Sequence, residues 1–279
     1  MTTRTMKPRW PNLTLTLGIL LVGLHIAVGL LTLVWLPYDP TALTGGRLSP
    51  PSWEHWAGTD RLGRDFFTQV MIGSRIALIV GTGAVLIGGL IGVTLGLLAA
   101  FATKLLDDAL AATLDILIAF PTLLIAMLVV AASDTASLFS AILAIGIALS
   151  AIVARLTRIL AKRVLLLDYI TAARTAGASW PAIVVEHVLP NIAPTLMVNF
   201  ALQFGLAVIA EASLSYLGLG APPPNASWGR LLQEAQGTVY TAPIGAIAPG
   251  LALVSLAIGV NLLADGLRDR ADPSRRGRA

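Results

Sequence analysis

The chain has 279 residues, of which 56% are hydrophobic and only 12% are charged. A soluble domain carries about 25% charged residues, so most of this surface must face something other than water. Several apolar stretches of about 20 residues, the length that crosses a bilayer as a helix, predict a polytopic helical membrane protein. The absence of cysteine excludes disulfides, thiol catalysis and cysteine-based metal sites.

The first apolar stretch runs from Leu13 to Trp35, after a basic segment at residues 1–12. It is long for a signal peptide, and Pro37–Pro40 follows it instead of a small-residue cleavage site. We therefore predict an uncleaved transmembrane helix over residues 13–36. A long loop over residues 37–75, rich in proline, glycine and alternating charge, is predicted to follow.

Five further apolar stretches complete a predicted bundle of six transmembrane helices. The second stretch carries a small residue at every fourth position from Ala84 to Ala100, which predicts a smooth face for close helix packing. These stretches form a predicted five-helix core over residues 76–266. The predicted bounds are Ile76–Phe101, Ala109–Ala132, Leu138–Leu160, Ile192–Ala210 and Ile244–Leu263.

The distribution of positive charge predicts the orientation of the bundle. Six spans place both termini on one side of the membrane. With a cytoplasmic N-terminus, fourteen of the 19 Lys and Arg residues fall in cytoplasmic segments, as the positive-inside rule requires. We predict a multi-pass inner (plasma) membrane protein with cytoplasmic segments at 1–12 and 267–279 and an extracytoplasmic 37–75 loop. The membrane orientation then accounts for the net charge of +4. This charge is therefore no sign of nucleic-acid binding, and no nucleic acid is expected as a partner.

A long polar interruption between apolar spans covers residues 161–190, on the predicted cytoplasmic side. The fourth helix is expected to continue past the bilayer to Arg163, and Asp168 to cap a short helix. Trp180–Pro181 is expected to start another helix, and Leu189–Pro190 to break it. The short helix carries small residues that would let it approach another protein closely: Ala172, Ala173, Ala176 and Gly177.

The order of residues in this segment resembles the EAA loop of binding-protein-dependent ABC importers. Ala172-Ala173 is followed after three residues by Gly177 and after nine more by His187–Pro190. In those families the loop forms a coupling helix that docks on the ATPase subunit. Thr171 stands where the family usually has Glu, and His187 where Ile is common. The resemblance implies these coupling residues: Thr171, Ala172, Ala173, Arg174, Gly177, His187, Leu189 and Pro190.

Further motifs narrow the resemblance to the dipeptide, oligopeptide and nickel permease family. Glu54–Asp65 resembles the family's "GTDxxGRD" signature, and Leu214–Gly220, Ser227–Gly229 and Asn261–Asp269 follow in the expected order. Ala264 departs from the pattern, where glycine is usual. The first span with its proline-rich exit resembles the extra N-terminal helix of the "C" subunit of these importers.

This resemblance implies the MetI-like type I ABC importer permease fold, an all-α membrane fold, with one extra N-terminal helix. It implies a homologous second permease, two ATP-binding subunits and an extracytoplasmic substrate-binding protein as partners. No G-x-x-x-x-G-K-[ST] motif occurs, so ATP and Mg are expected on the partner subunits and no cofactor in this chain. No HExxH motif or nucleophile elbow occurs either, so no catalytic residues and no metal ligands are assigned and the chain is predicted not to be an enzyme.

The extracytoplasmic signature has two possible roles. Its alternating charges can form a salt-bridge and turn cluster that fixes the outer loop, with the glycines supplying backbone freedom. They can instead form a contact surface for the second permease or the binding protein. The residues concerned are Gly58, Thr59, Asp60, Gly63, Arg64 and Asp65.

Ionisable and polar residues inside the spans are candidate functional residues. Asn199, Gln203 and Glu211 recur on one helical face, and we interpret them as lining a translocation path or as hydrogen-bonding between helices. Asp115 is expected to brace a neighbouring helix, and His25 to be packed in the bundle. His25, His55 and His187 lie at different depths, so no shared metal site is expected.

Taken together, the chain is predicted to be the permease subunit of an ATP-driven importer, with di- or oligopeptides as its cargo. One alternative has the same architecture and imports nickel or another small solute. Another is a secondary transporter or channel that works alone, although the sequence has no convincing internal repeat. A neighbouring gene for a Walker-motif ATPase would separate the importers from the last alternative.

Overall fold

The computed structural model describes residues 13–132, 137–220, 222 and 225–271. Within these ranges the regular elements are helices, and one isolated bridge pairs Thr59 with Asp65. The N-terminal segment 1–12 and residues 272–279 of the predicted tail lie outside the described residues. In chain order the helices are α1 (Leu13–Leu31), α2 (Phe66–Phe101), α3 (Lys104–Ala119), α4 (Thr122–Ala131), α5 (Leu138–Leu165), α6 (Asp168–Thr175), α7 (Trp180–Ile183), α8 (Leu189–Tyr216), α9 (Trp228–Ala235) and α10 (Ile244–Ala271).

Helices long and apolar enough to cross a membrane make up most of the described chain. Five stretches meet this condition: α1, α2, α5, the continuous stretch from α7 through α8, and α10. α3 and α4 meet it together, as a pair bent by 90°. Counted as one broken span, this pair brings the total to six, which is the predicted number. Helices satisfy their own backbone hydrogen bonds, as the hydrocarbon region requires.

α2 begins at Phe66 instead of the predicted Ile76, so the prediction of a loop over residues 37–75 is wrong for residues 66–75. Asp65 explains the early start, because its carboxylate accepts the backbone N–H of Thr68 at 2.7 Å as the N-cap of the helix. α2 has 36 residues and is therefore about 54 Å long. It exceeds the ~30 Å hydrocarbon core, so its ends stand outside the bilayer.

The predicted third span, Ala109–Ala132, is two helices, and the first of them already starts at Lys104. The break falls at Phe120 (φ −81°, ψ 137°) and Pro121 (φ −54°, ψ 127°), whose backbones are extended. Proline lacks an N–H and disfavours the helical conformation at the residue before it. Pro121 therefore turns what would be one span into a bent pair.

The other predicted spans differ from the structure mainly at their ends. α5 runs to Leu165, which confirms the predicted extension of the fourth helix to Arg163. α10 continues to Ala271, past both the predicted end at Leu263 and the predicted boundary between core and tail at residue 266. α1 ends at Leu31, and a turn carries the chain on towards Trp35.

α2 and α5 form the most extensive helix contact in the described part of the bundle. Glycine makes this contact possible. A Cβ added at Gly92 would lie 2.6 Å from Val153 Cβ and 2.7 Å from Ser150 O. A Cβ added at Gly96 would lie 2.5 Å from Ala154 O. The smooth face predicted from the four-residue spacing is confirmed, because the small side of α2 lies directly against the α5 backbone.

Helix α9 is anchored beside the first turns of α2. Trp228 is only 2% exposed, and its indole Nε1 donates a hydrogen bond to Val70 O at 3.0 Å. The indole ring occupies the space that a side chain at Gly73 would need. On the other side of α9, Gly229 lies against the backbone of Ala212 in α8. α9 therefore joins α2 to α8 on the side of the outer loop.

α1 packs along α10 and meets α2 near its own C-terminal end. A Cβ at Gly18 would lie 2.5 Å from the backbone N of Leu263, so this part of α1 lies directly on α10. A Cβ at Gly29 would lie 3.5 Å from the Cα of Arg75, so α1 also approaches α2 at that point. The approach to α2 is in the C-terminal half of α1.

His25 is a packed residue of this contact, as expected. The side chain is 6% exposed, and its Nε2 lies 2.9 Å from the hydroxyl of Ser255 in α10. Its Nδ1 lies 3.4 Å from the hydroxyl of Ser74 in α2. The ring stands edge-on to Trp228 at 5.4 Å between centroids. His25 thus joins α1 to α2, α9 and α10.

The α2–α5 contact predicts an unequal response to the same substitution at two glycines. Gly92→Ala is expected to destabilise the bundle by about 1–3 kcal/mol, because the added methyl group must push α2 away from α5. Gly23 in α1 is the matched control, since a Cβ there meets nothing within 4 Å. Gly23→Ala should leave the thermal unfolding temperature in detergent unchanged or raise it, because alanine favours helix over glycine by ~1 kcal/mol. Equal losses in the two variants would contradict the role of the contact.

Candidate functional site

The polar segment between α5 and α8 folds back onto the ends of the transmembrane helices. Three of its apolar side chains, Ile170, Ile183 and Val188, are buried. They form a cluster with residues at the ends of α2, α5 and α8, among them Phe101 and Leu160. The segment is therefore part of the bundle, and a displacement of α6 or α7 must displace these helix ends as well.

The face of this segment that points away from the bundle carries small side chains. Thr171, Ala172, Ala176 and Gly177 are exposed, while Ala173 is partly buried. Small side chains let the backbones of two helices approach closely. The coupling residues predicted on α6 and just after it, Thr171 to Gly177, thus lie together at one exposed surface, which we call the small-residue surface.

Gly177 ends α6 in a left-handed conformation that strongly favours glycine. Its φ is +94°, and the N–H of Ala178 donates to Ala173 O at 3.0 Å while the N–H of Gly177 donates to Arg174 O at 3.0 Å. This pair of bonds is the Schellman arrangement of helix ends. Nothing lies within 4 Å of a Cβ built at Gly177. A side chain placed there would therefore point into open space.

Arg174 is held within the segment. Its guanidinium lies 4.1 Å from the ring centroid of Trp180, and its Nη1 donates to Ala178 O at 2.8 Å. Trp180 in turn packs edge-on against Phe101 at the end of α2, at 5.3 Å between centroids. Arg174 therefore fixes α6 relative to α7 and to α2, and its cation–π contact is of the kind that stabilises by about 0.5–2 kcal/mol.

The predicted break at Leu189–Pro190 is wrong. Val184–Val188 form a π-helical turn, and α8 continues from it, with Leu189 helical and its N–H bonded to Val184 O. Pro190 has no N–H to donate, and its ring would clash with the carbonyl four residues earlier in a regular α-helix. The wider π-turn relieves this conflict. The chain is therefore helical from Trp180 to Tyr216 over 37 residues, and the fifth span starts well before the predicted Ile192.

The start of α6 also differs from its prediction. Leu167 is the N-cap residue, and no side chain caps the helix there. Asp168 is the first helical residue, where its negative charge interacts favourably with the helix dipole.

His187 faces α6 instead of the small-residue surface. Its ring stands edge-on to Tyr169 at 5.8 Å between centroids. Asn191 Nδ2 donates to the Tyr169 hydroxyl at 3.0 Å and to His187 O at 2.8 Å. The structure thus divides the predicted coupling residues into two groups: an exposed group around α6, and a bracing group of His187, Leu189 and Pro190 on the continuous helix.

A buried ion cluster joins α3 to α5 beside this segment. Asp107 is 5% exposed and accepts hydrogen bonds from Arg158 Nε at 2.6 Å and Arg158 Nη2 at 2.9 Å. Lys162, one turn further along α5, contacts the same carboxylate. Sequence reasoning missed Asp107. Its signal was the pair of cations four residues apart on one helix face, which would need an acid opposite them.

Asp115 makes a second and weaker link between the same helices. Its carboxylate lies 3.3 Å from Arg155 Nη1, and both side chains are about half exposed, at 56% and 51%. This contact agrees with the expected role of bracing a neighbouring helix.

The three residues predicted to line a path have different surroundings. Asn199 lines a cavity of about 440 Å³ together with Thr195 and Arg268, and its Oδ1 has no hydrogen-bond partner in the described part of the chain. Gln203 is 3% exposed, and its Oε1 is likewise without a partner among the described residues. Glu211 is 2% exposed and accepts the hydroxyl of Ser215 at 2.6 Å. Both residues lie in α8, so this bond is made within one helix and decides between neither of the two predicted roles.

The extracytoplasmic signature forms a network of internal hydrogen bonds. Asp60 Oδ1 accepts the backbone N–H groups of Leu62 at 2.7 Å and Arg64 at 2.9 Å, and Asp60 Oδ2 accepts Arg64 Nε at 2.6 Å. Gly58 and Gly63 have positive φ values of +73° and +93°, which the turns around Asp60 require. These contacts are those of a cluster that fixes the outer loop.

The last residues of the signature connect the loop to α2. Besides capping α2, Asp65 accepts a hydrogen bond from His55 Nδ1 at 2.9 Å. Thr59 Oγ1 accepts the N–H of Ser49 at 2.8 Å. His55 is thus far from the surroundings of His25 and His187. In residues 13–132, 137–220, 222 and 225–271, no group of three His, Cys, Asp or Glu is arranged to hold a metal ion.

The described chain is a helical bundle of five membrane spans, or six if the bent pair α3–α4 counts as one, which is the architecture of an integral membrane protein. Comparison with known families agrees with this class. Residues 92–277 match the family described as "Binding-protein-dependent transport system inner membrane component". The chain belongs to this family, and it is an inner membrane permease of an ABC importer with the type I fold.

Curated relatives place the chain in the peptide and oligopeptide group of these importers. It is 40% identical over 256 residues to the glutathione transport system permease protein GsiD of Pectobacterium atrosepticum, covering 91% of this chain and 85% of the relative. It is also 40% identical over 227 residues to the protein of that name from Shigella sonnei, covering 81% and 75% of the two chains.

From the α3–α5 ion contacts we expect two similar substitutions to lower the free energy of unfolding by different amounts. Asp107→Asn should lower the free energy of unfolding by about 1–3 kcal/mol, because Arg158 and Lys162 lose their anion in a mostly buried site. Asp115→Asn removes a half-exposed pair and should cost only about 0–1 kcal/mol. Thermal unfolding of both variants in the same detergent measures the difference. An Asp115 variant as unstable as the Asp107 variant would contradict this ranking.

Proposed function

We propose that this chain imports di- or oligopeptides as one of two homologous permease subunits, coupled through residues 167–190 to separate ATPase subunits. The small-residue surface supports this proposal most directly. It is exposed and free of bulky side chains at Ala172, Ala176 and Gly177, yet Ile170 and Ile183 anchor it to the bundle. A partner that binds this surface can therefore pull on the bundle through a short and rigid connection.

The proposed mechanism is a rigid-body switch. Nucleotide binding draws the two ATPase subunits together, and the surfaces docked on them follow. The apolar cluster around Ile183 carries the displacement to α2, α5 and α8, and the Asp107 cluster carries it from α5 to α3. Since packed helices shift as units, the spans exchange an inward-open arrangement for an outward-open one.

The orientation belongs to this proposal. Arg158, Lys162 and Arg174 lie near the small-residue surface, and Arg47, Arg61 and Arg64 lie in the outer loop. Over the whole chain, fourteen of 19 cations fall on the proposed cytoplasmic side, which the positive-inside rule favours. Both termini are then cytoplasmic, and ATP and Mg²⁺ are bound by the partner subunits.

An extracytoplasmic binding protein delivers the cargo in this scheme. Asp60, Arg64 and Asp65 are occupied by internal hydrogen bonds, so they support the outer loop, and other exposed residues of the loop meet the partner. Trp53 is 96% exposed there and is the type of side chain that anchors protein contacts.

We propose that the cytoplasmic half of the path includes the cavity at Asn199. Four of its eight lining residues are polar: Asn191, Thr195, Asn199 and Arg268. Gln203, one turn further along α8, continues this face into the bundle. Selectivity is left to the binding protein, so this surface needs polar groups for passage but no tight site.

Coupling is tested at Gly177, where a side chain meets no atom of this chain. Gly177→Asn keeps the positive φ, since asparagine tolerates it, and adds a side chain to the small-residue surface. We expect normal amounts of protein in the membrane but loss of most ATP-dependent uptake in reconstituted vesicles. A gain in basal ATPase activity without transport would also fit, because the docked subunits would be uncoupled.

Gly218 supplies the matched control for this experiment. It also has a positive φ, +81°, and a Cβ there would meet nothing closer than 3.7 Å. It lies at the other end of α8, away from the small-residue surface. Gly218→Asn should transport normally. Wild-type uptake by the Gly177 variant would reject the coupling role.

The proposal of a peptide cargo rests on the relatives, whose names state glutathione, a tripeptide. Uptake of labelled glutathione into cells that carry the complete transporter should be reduced by excess di- or tripeptide. Nickel salts, which represent the alternative cargo, should not compete. Competition by nickel and not by peptides would replace the peptide proposal and leave the coupling proposal intact.

A further inference from the structure

An apolar groove lies where α1 and α2 diverge. The two helices are in contact at Gly29 and Arg75, whereas the opposite end of α1 rests on α10 at Gly18. The space between α1 and α2 therefore widens away from Arg75. It forms a cavity of about 550 Å³, which we call the α1–α2 groove.

The walls of the groove are almost entirely apolar, and the groove is open at the surface of this chain. Phe200 and Phe204 of α8 and Val260 of α10 form its floor. The lips are Leu30 on α1 and Ile79 and Leu86 on α2, with exposed fractions of 59%, 43% and 66%. An apolar cavity with exposed apolar lips inside a membrane-spanning bundle is accessible to the acyl chains of lipids. It offers water no hydrogen-bond partners.

Arg75 marks one end of this groove with a positive charge. Its Nη1 lies 3.5 Å from the carbonyl oxygen of Thr32, in the turn that follows α1. In the described part of the chain, no carboxylate forms an ion pair with Arg75. Its position beside the end of a membrane-spanning helix places it at the level of lipid headgroups. A guanidinium there pairs well with phosphate, which it can bind through two parallel hydrogen bonds.

The length of the groove fits an acyl chain. The groove follows α2 from Arg75 to Leu86, about 16 Å by helical rise, which is close to one leaflet of a ~30 Å hydrocarbon core. One acyl chain can lie along an apolar groove of this length and volume.

We propose that the α1–α2 groove is a binding site for one anionic phospholipid of the leaflet on the outer-loop side. The phosphate pairs with Arg75, and one acyl chain lies along the groove from Ile79 to Leu86. Because Arg75 has no acidic partner among the described residues, a net negative headgroup is preferable to a zwitterionic one. The bound lipid fills the space beneath α1 and so holds this helix against the other spans.

The test is native mass spectrometry of the complete purified transporter, titrated with phosphatidylglycerol and, separately, phosphatidylcholine. The wild type should retain phosphatidylglycerol more tightly. Arg75→Gln should weaken that binding about ten-fold, the effect of losing one charge-assisted contact, and should abolish the preference. Arg75→Lys should restore part of it. Thr82→Trp places a bulky side chain in the groove and should weaken the binding of both lipids.

Two matched controls keep this test specific. Arg47→Gln removes the same charge from the outer loop, and Leu90→Trp adds the same ring to a lipid-exposed position of α2 outside the groove. Both should bind lipid as the wild type does. Wild-type lipid binding by both Arg75→Gln and Thr82→Trp would overturn the proposal. Because the chain has no cysteine, Thr82→Cys can also report on the groove, and its cross-linking to the second permease in the lipid-free complex would overturn the proposal as well.

Discussion

The close contact between α2 and α5 determines the arrangement of the other helices. In lipid, apolar burial does not hold two helices together, so shape and close approach must do so. Gly92 and Gly96 bring the α2 backbone against that of α5, and the remaining helices attach to one of these two. Asp107 joins α3 to α5, and Trp228 joins α9 to α2. α1, packed on α10, completes the bundle from the opposite side.

The same core explains how a surface at one side of the membrane can act on the whole protein. Ile170, Ile183 and Val188 belong to one apolar cluster with the ends of α2, α5 and α8. Arg174, stacked on Trp180, links α6 to α7. In the proposed function the ATPase subunits thus displace a single packed body, and no flexible linker absorbs the displacement.

The sequence was sufficient for the number of spans and for the small-residue surface, because hydropathy and small-residue spacing are local properties. Helix ends were less predictable, since they depend on single contacts such as the Asp65 cap. Prolines had opposite effects that no local rule separates: Pro121 bends a span by 90°, while Pro194 and Pro249 lie inside continuous helices. The surroundings of Asn199, Gln203 and Glu211 depend on how whole helices pack, so one shared helical face in the sequence led to three different environments.

The π-helical turn at Val184–Val188 gives the longest helical stretch a mechanical property. With it, the chain from Trp180 to Tyr216 is a rod of 37 residues, about 55 Å from end to end, without a hinge where proline would otherwise have made one. In the proposed mechanism this continuous helix connects the small-residue surface at Trp180 with the region of α9 at Tyr216. Because a π-turn holds one residue more than an α-turn, deleting a single residue between 184 and 188 would leave an α-turn there, and the ring of Pro190 would then clash with a carbonyl of the preceding turn.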